Sequence, residues 1–176
     1  MFNGGCFPTN AQASHMKPFK NYTLDQYLEV LSQKKPVPGG GSAAALTAAL
    51  GAALLSMAAN YSLGRDHPEG VDRKLKALLK KTETIRKRLC KLIDLDAQAY
   101  LKVVETRKAS LVQRQQALKK AREVPGEVCR LCYQAVHLAP YLIEKGNRYL
   151  ISDVEGGVEM LLAAFKAAKA NVEINQ

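Results

Sequence analysis

LKALLKKTETIRKRLCKLIDLDAQAYLKV, residues 75–103, places Leu75, Leu78, Thr82, Ile85, Leu89, Leu92, Asp96, Ala99 and Val103 at steps that alternate strictly between three and four. That spacing holds one stripe of a helix against a neighbour for about eight turns, and it predicts a single helix from near Val71 to near Lys108. Two positions on the stripe are polar. A hydroxyl at Thr82 is satisfied by the backbone carbonyl one turn back. A carboxylate at Asp96 that points into a bundle needs a partner. Asp96 is therefore a candidate acid/base or ligand-anchoring group, with an ordinary pairing to a core-facing Lys, Tyr or Ser as the alternative.

The segments on either side read the same way. Thr23-Leu24-Asp25-Gln26 has the form of a capping box and predicts a first helix that stops before Pro36. Ser42 to Ser62 is a second helix with no charged residue, its larger side chains at Leu46, Leu50, Leu54, Met57 and Tyr61 on one stripe. Its length formally admits a membrane span. The many alanines, with Thr47, Ser56 and Asn60 in the run, favour a buried core helix instead.

Gly64 to Gly70 reads as a turn. After the long helix, Ser110 can cap another that runs to about Glu144, with Leu118, Ala121, Pro125, Val128, Cys132, Ala135, Ala139 and Leu142 on its seam. Pro125 must kink or break it, Pro140 kinks it again or starts its end, and Gly146-Asn147 supplies a stop. Ser152-Asp153-Val154-Glu155 has the form of a second capping box opening a last helix, with Val154, Val158, Leu161, Phe165, Ala168 and Val172 on its seam. No segment has strand period. The fold expected is all-α: an antiparallel, up-and-down bundle of about five long helices, some kinked, over residues 20–176, behind a disordered leader at 1–19.

Composition agrees: 176 residues, 47% hydrophobic, 6% aromatic and no Trp. The formal charge of +10 is concentrated. From Asp72 to Lys91 nine Lys and Arg stand against Asp72 and Glu83, a net +7. Such a block is a solvated helix face or an attractor of polyanions. Cys6, Cys90, Cys129 and Cys132 do not form a secreted disulfide framework, and Cys129-x-x-Cys132 lies within a helical pattern with no second pair, so no metal is expected. No signal peptide is visible, and the expected compartment is the cytoplasm. Ser14-His15-Met16 resembles a cloning junction.

Pro38-Gly39-Gly40-Gly41-Ser42 opens straight into a helix behind Lys34 and Lys35. Three glycines let backbone approach a ligand, and free amides at a helix start favour an anion. A tight interhelical turn explains the loop nearly as well, and the Lys-Ser/Thr ending of a phosphate-binding loop is missing. Asp153, at a helix start, is the second candidate carboxylate, although first-turn dipole stabilisation alone accounts for it. His67 and His137 read as loop and core residues.

Pro36-Val37-Pro38-Gly39-Gly40-Gly41-Ser42-Ala43-Ala44-Ala45-Leu46, continuing through Gly51-Ala52 to Met57-Ala58-Ala59-Asn60, resembles the start of the cyclodeaminase/cyclohydrolase family. That family includes the C-terminal domain of formiminotransferase-cyclodeaminase and freestanding methenyltetrahydrofolate cyclohydrolases. Asp96-Ala97-Gln98-Ala99-Tyr100, Val124-Pro125, Lys145-Gly146-Asn147, Ser152-Asp153 and Asn171-Val172-Glu173-Ile174-Asn175 are similar in kind and order.

The resemblance implies a dimerising helical bundle with a folate site near the glycine loop and no metal or redox cofactor. The family's reactions are ammonia loss from 5-formiminotetrahydrofolate to give 5,10-methenyltetrahydrofolate, the leading expectation, and hydrolysis of the latter to 10-formyltetrahydrofolate. Either suits a carboxyl whose pKa is raised by partial burial. Asp153 is the expected acid/base, with Asp96 as second carboxylate or pterin anchor. Lys145 and Asn147 are placed to donate to the pterin carbonyl or to forming charge. Pro38, Gly39, Gly40, Gly41 and Ser42 would hold a glutamate carboxylate or line the pterin pocket, and Asn60 and Ser152 complete the substrate-binding set.

The basic block is not a familiar family feature; it suits the polyglutamate tail of cellular folates. The chain ends directly after Asn171–Asn175, where relatives often continue, and it includes no formiminotransferase domain, so a formimino substrate would come from another protein. A non-catalytic folate- or anion-binding protein and a nucleic-acid-binding bundle are the alternatives of other classes. The last has no base-reading motif behind it.

Overall fold

The computed structural model describes residues 17–65, 67, 68 and 70–174. Among these there is no strand. A capping box is formed at Thr23, whose side chain accepts from the Gln26 amide while Gln26 accepts from the Thr23 amide, and it opens helix α1, Leu24–Ser32. Helix α2 is Gly40–Ser62, α3 is Val71–Glu105, and α3 runs on into a 3-10 turn at Thr106–Lys108. Ser110 caps α4, Leu111–Val136, through a second capping box with Gln113. Helix α5, Ala139–Lys145, ends at Gly146, and α6 is Ile151–Ile174.

Four long helices form the bundle: α2 packs on α3 and α6, and α4 closes the ring between them. The stripe of α3 delivers its core. Leu75, Leu78, Thr82, Ile85, Leu89 and Leu92 are buried, and Asp96, Ala99 and Val103 are half-buried as the stripe reaches the end of the bundle. Thr82 donates to the Leu79 carbonyl at 3.0 Å and accepts from Ser56 of α2 at 2.9 Å, so its burial leaves nothing unpaired. Cys132 is buried, and burial pushes its thiol up to about 12. The Cys129 thiol donates to the Phe165 carbonyl at 3.6 Å. Among the described residues, no three His, Cys, Asp or Glu side chains gather to hold a metal ion.

Helix α2 is the central helix, though with its faces arranged differently from expectation. It is apolar and long enough to cross a membrane, but 61% of its most apolar window is buried within the bundle. The residues that bury it are small: Ala44, Ala45, Ala48, Ala49, Ala52, Ala58 and Ala59, with Leu55 the one large side chain among them. Of the larger side chains, Leu50 and Tyr61 are 47% and 64% exposed, while Leu46, Leu54 and Met57 are half-buried, Leu46 at the edge of the core. The bundle selects backbone proximity over side-chain volume, and the larger residues are left on the fourth side.

The closest approach is at Gly51, where an added Cβ would lie 2.6 Å from the Gly157 carbonyl oxygen and 2.9 Å from Leu161 Cγ of α6. A backbone carbonyl cannot rotate away, so overpacking outweighs the gain of about 1 kcal/mol in helix propensity. Gly51→Ala is expected to destabilise the fold by about 1–2 kcal/mol. Gly126→Ala on α4, with nothing within 4 Å, should stabilise by roughly 0.5–1 kcal/mol. Urea titration of the two variants should give midpoint shifts of opposite sign, and shifts of the same sign would contradict this account of the α2–α6 contact.

Other differences from expectation have local causes. The second capping box, at Ser152–Glu155, does not form: Ser152 and Asp153 already lie inside α6. The chain enters that helix through a 3-10 turn, Arg148–Leu150, capped by the Asn147 side chain, which accepts from the Tyr149 amide at 3.1 Å. The expected helix to Glu144 divides at His137 and Leu138, with Pro140 in the first turn of α5 where its missing N–H costs nothing. It runs unbroken through Pro125. His137 is exposed and stacks on Tyr133, centroids 4.2 Å apart, so it is not a core residue. His67 holds the turn after α2 by donating to the Ser62 carbonyl at 2.7 Å.

Phe19, assigned to the leader, is buried against Tyr22 and Tyr27, so the fold starts ahead of residue 20. Residues 1–16 of the leader, Asp66 and Glu69 of the turn, and Asn175 and Gln176 lie outside the described residues.

Candidate active site

Three glycines begin α2, and the helix takes in two of them. Gly39 is its N-cap and contributes no side-chain bond. The first-turn amides are therefore uncapped from within the segment, and the group that faces them comes from α3. A Cβ on Gly41 would run into the Asp96 carboxylate, which lies against the Gly41 backbone. The Ser42 amide faces the same carboxylate and lowers its pKa, but burial is the larger influence and the net shift is upward. No cation contributes to that balance. Asp96 is a carboxyl held toward its protonated form beside positive helix-dipole charge, the balance a proton-transferring group needs.

The support beneath it is buried. Ser42, fully buried, bonds its Oγ to the Tyr27 hydroxyl at 2.9 Å, and burial raises the phenol's pKa. This bond ties α1 to the first turn of α2. Asp94, two residues before Asp96 and on a different face of α3, is also buried. Its Oδ1 accepts from the Lys20 amide at 3.4 Å and its Oδ2 lies 3.8 Å from Lys20 Nζ, so it pins the entering chain to α3.

In front of Asp96 is a cleft of about 270 Å³ lined by Pro36, Val37, Gly39, Gly40, Gly41, Tyr100 and Asn171, with Val103, Ala121 and Ile174 closing it. Tyr100 follows Asp96 by one turn and is 42% exposed. The Asn171 side chain donates to the Ala167 carbonyl at 2.8 Å and stands beside Gly40. An aromatic wall, an amide and a carboxyl of raised pKa suit a flat, hydrogen-bonding ring. A ligand carboxylate on the same amides would meet Asp96, which disfavours the glutamate-binding reading of Gly39–Ser42 and leaves the pocket-lining one.

Only part of the expected site is gathered here. Helices α2 and α6 are antiparallel: Gly40 stands beside Asn171, and Gly51 packs on Gly157. Asp153 is eighteen residues of helix from Asn171, about 27 Å along α6. Asp153 is half-buried, and Asn60 and Ser152 are exposed. The Asn147 amide donates to Ser62 Oγ at 2.8 Å at the far end of α2, and an added Cβ on Gly146 would meet the Leu142 carbonyl and Ser62 Oγ, so this tight turn also needs a glycine. Lys145 lies beside Glu144, Nζ to Oε1 2.9 Å, and this pairing raises its pKa. Within one chain the glycine loop and Asp96 are at one end of α2, while Asn60, Lys145, Asn147, Ser152 and Asp153 are at the other. Tyr27, Asp94, Tyr100 and Asn171 were not among the expected site residues. Tyr100 is off the α3 stripe, and its signal in the sequence is its spacing of one helical turn from Asp96.

Comparison with known proteins agrees with this fold. Residues 23–176 match the family described as Formiminotransferase-cyclodeaminase. A methenyltetrahydrofolate cyclohydrolase of Methylorubrum extorquens is 36% identical, over 88% of this chain and 79% of that one. The formimidoyltransferase-cyclodeaminase of Gallus gallus is 32% identical over 86% of this chain, which spans 30% of that longer protein. The crystal structure of formiminotetrahydrofolate cyclodeaminase from Thermotoga maritima superposes with a TM-score of 0.85 at 31% identity, covering 89% of this chain and 79% of that one. The chain belongs to the formiminotransferase-cyclodeaminase family.

Proposed function

We propose that this chain is a folate one-carbon enzyme that works on the bridge between N5 and N10 of tetrahydrofolate, as a formimidoyltetrahydrofolate cyclodeaminase acting in a homodimer. The observation that carries the reading is the Asp96 carboxyl, raised in pKa by burial, with the glycine start of α2 beneath it and a ring-sized cleft in front. In cyclodeamination N10 attacks the carbon of the formimino group, which is protonated on its nitrogen, the carboxylate takes the N10 proton, and the same carboxyl returns it to the departing nitrogen. The N10–C bond forms, the C–NH2 bond breaks, ammonia leaves, and the single positive charge remains on the methenyl product. One carboxyl, its pKa raised by burial so that it holds a proton more readily than a free carboxylate, serves both transfers.

Hydrolysis of 5,10-methenyltetrahydrofolate is the second reading, favoured by the 36% identity to a cyclohydrolase of which the chain covers 79%. There the same carboxylate would take a proton from the attacking water. Arg73, Lys74, Lys76, Lys80, Lys81, Lys87 and Lys91 of α3 are exposed and suit the carboxylates of a polyglutamate tail. Arg86 and Arg88 are bound to Glu83 and Glu127.

The readings separate by methenyl absorbance. With 5-formiminotetrahydrofolate a cyclodeaminase makes the signal appear. With 5,10-methenyltetrahydrofolate a cyclohydrolase makes it fall faster than the spontaneous rate. No change with either substrate refutes both enzymatic readings.

A further inference from the structure

A second groove, of about 720 Å³, lies where α4 gives way to α5 against the first half of α3, and it is large enough for an ordinary small ligand. It shares no lining residue with the Asp96 cleft. Lys81 in its wall precedes Asp96 by fifteen residues, about 22 Å along α3. Buried Ile85, half-buried Leu138 and the ring of Tyr133, which is 62% exposed, make its lining largely apolar. His137 stacks on Tyr133 and donates from Nδ1 to the Tyr133 carbonyl at 2.9 Å, which fixes both rings. The His137 amide reaches that carbonyl at 3.4 Å and the Leu138 amide reaches the Ala135 carbonyl at 3.0 Å, so the negative end of α4 is partly covered.

Alone among the exposed cations of α3, Lys80 and Lys81 line this groove, and among the described residues no carboxylate does. Arginine takes the acidic groups of this stretch. Arg86 bonds Glu83 at 2.7 Å and holds its carboxyl down to about 2. Glu127 is shared by Arg88 at 2.6 Å and Arg130 at 3.3 Å. Lys80 and Lys81 form no ion pair among the described residues. The groove is therefore apolar along its length and positive at one wall, with the neighbouring carboxylates already engaged.

We propose that this groove binds a nucleoside polyphosphate, its base against the Tyr133 ring over Ile85 and Leu138, and its phosphates on Lys80 and Lys81. A lysine pair alone takes any polyanion, and an apolar groove alone takes any apolar group. Together they select a flat ring joined to a compact block of negative charge. Two adjacent ammonium groups match the charge density of a di- or triphosphate better than carboxylates spaced along a peptide. The chain does not supply such a group itself: residues 1–16 contain no Asp or Glu, and a second copy carries the same net +10. The site is one of binding, and it stands independently of the folate reading.

Calorimetric titration of the full chain with magnesium-free ATP, at about 0.15 M salt to screen distant charge, is the test. One ATP per chain is expected, with adenosine and tripolyphosphate each bound about tenfold or more weakly, since each keeps only part of the contacts. Lys80→Gln combined with Lys81→Gln should weaken ATP about tenfold, and Tyr133→Ala about fivefold or more. All three side chains are exposed, so these variants should melt as the native chain does. Lys87→Gln combined with Lys91→Gln removes the same charge from α3 outside the groove and should change ATP affinity by less than about twofold. Equal losses from the two lysine pairs would mean that the basic face acts as a whole, and would overturn the site. So would tripolyphosphate binding as tightly as ATP, or no ATP binding at all. Displacement of ATP by 5-formyltetrahydrofolate would place it in the Asp96 cleft, and tighter binding of p-aminobenzoyl polyglutamate or of a single-stranded oligonucleotide would give the groove to another ligand; each overturns the proposal. ATP binding as expected in a chain that turns over no folate refutes the proposed function alone.

Discussion

Asp96→Asn is expected to lower kcat about 10²–10⁴-fold and at the same time to raise the melting temperature. The two effects have one cause. Burial raises the pKa of Asp96 in the folded chain above its ordinary 3.8, which means the fold holds the carboxylate less well than water does. A carboxyl with a raised folded pKa contributes stability that is fully present below 3.8 and is lost as pH rises through the folded value. At neutral pH the charged form therefore costs the fold something, and a neutral amide of the same shape removes that cost.

The stability gap between variant and native protein should open as pH rises and close in acid. The acid limb of the native kcat/KM profile should lie above the usual carboxylate range and be missing from any residual activity of the variant. Thermal melts across pH and a pH–rate profile check both halves. A variant that is less stable at neutral pH and has an unchanged profile would show that Asp96 is a structural residue.

Gly41→Ala should be nearly as damaging to turnover, by about 10²-fold, without touching a titratable group. The added methyl would fall on the Asp96 carboxylate, which must swing away from the Ser42 amide and out of line with the cleft. A displacement of about 1 Å at a proton-transferring group is enough for a loss of that size. The decisive measurement is the double variant. If Gly41→Ala acts through Asp96, adding it to Asp96→Asn should change kcat little further. Fully multiplied losses would mean that the glycine serves the ligand directly. Gly40→Ala is the control, because its Cβ would meet only Asn171, at 3.5 Å.

The long helix was legible because its signal is redundant: nine seam positions in strict alternation leave one orientation for the whole segment, and the buried residues follow it. Ser110 and Thr23 were legible in part because a hydroxyl three residues before Gln carries its own local partner. The Ser152 box failed on the same logic. Asn147 caps the chain earlier, and a capping pattern cannot show that the helical turn has already begun. The large stripe on α2 misled because residue size was taken for burial. With alanine and glycine on the remaining faces, the neighbours pack against backbone, and the largest side chains are those left outside.

Of the site, Asp96 and the glycines could be read, since a carboxylate on an apolar seam and three glycines at a helix start are each anomalous. Their direct contact, the Tyr27–Ser42 bond and the role of Asp94 depend on how helices distant in sequence cross, and no local pattern encodes that.

A core built largely from methyl groups and glycine backbone has a thermodynamic consequence. Ala44, Ala45, Ala48, Ala49, Ala52, Ala58 and Ala59 each release little hydrocarbon to water on unfolding, while the helix they line exposes its full complement of peptide groups. Apolar exposure raises the heat capacity of unfolding and polar exposure lowers it. The increment for this segment is small per residue, which flattens its share of the stability curve with temperature. The closeness of α2 to its neighbours therefore makes this part of the bundle less sensitive to cooling and warming than one filled with leucine.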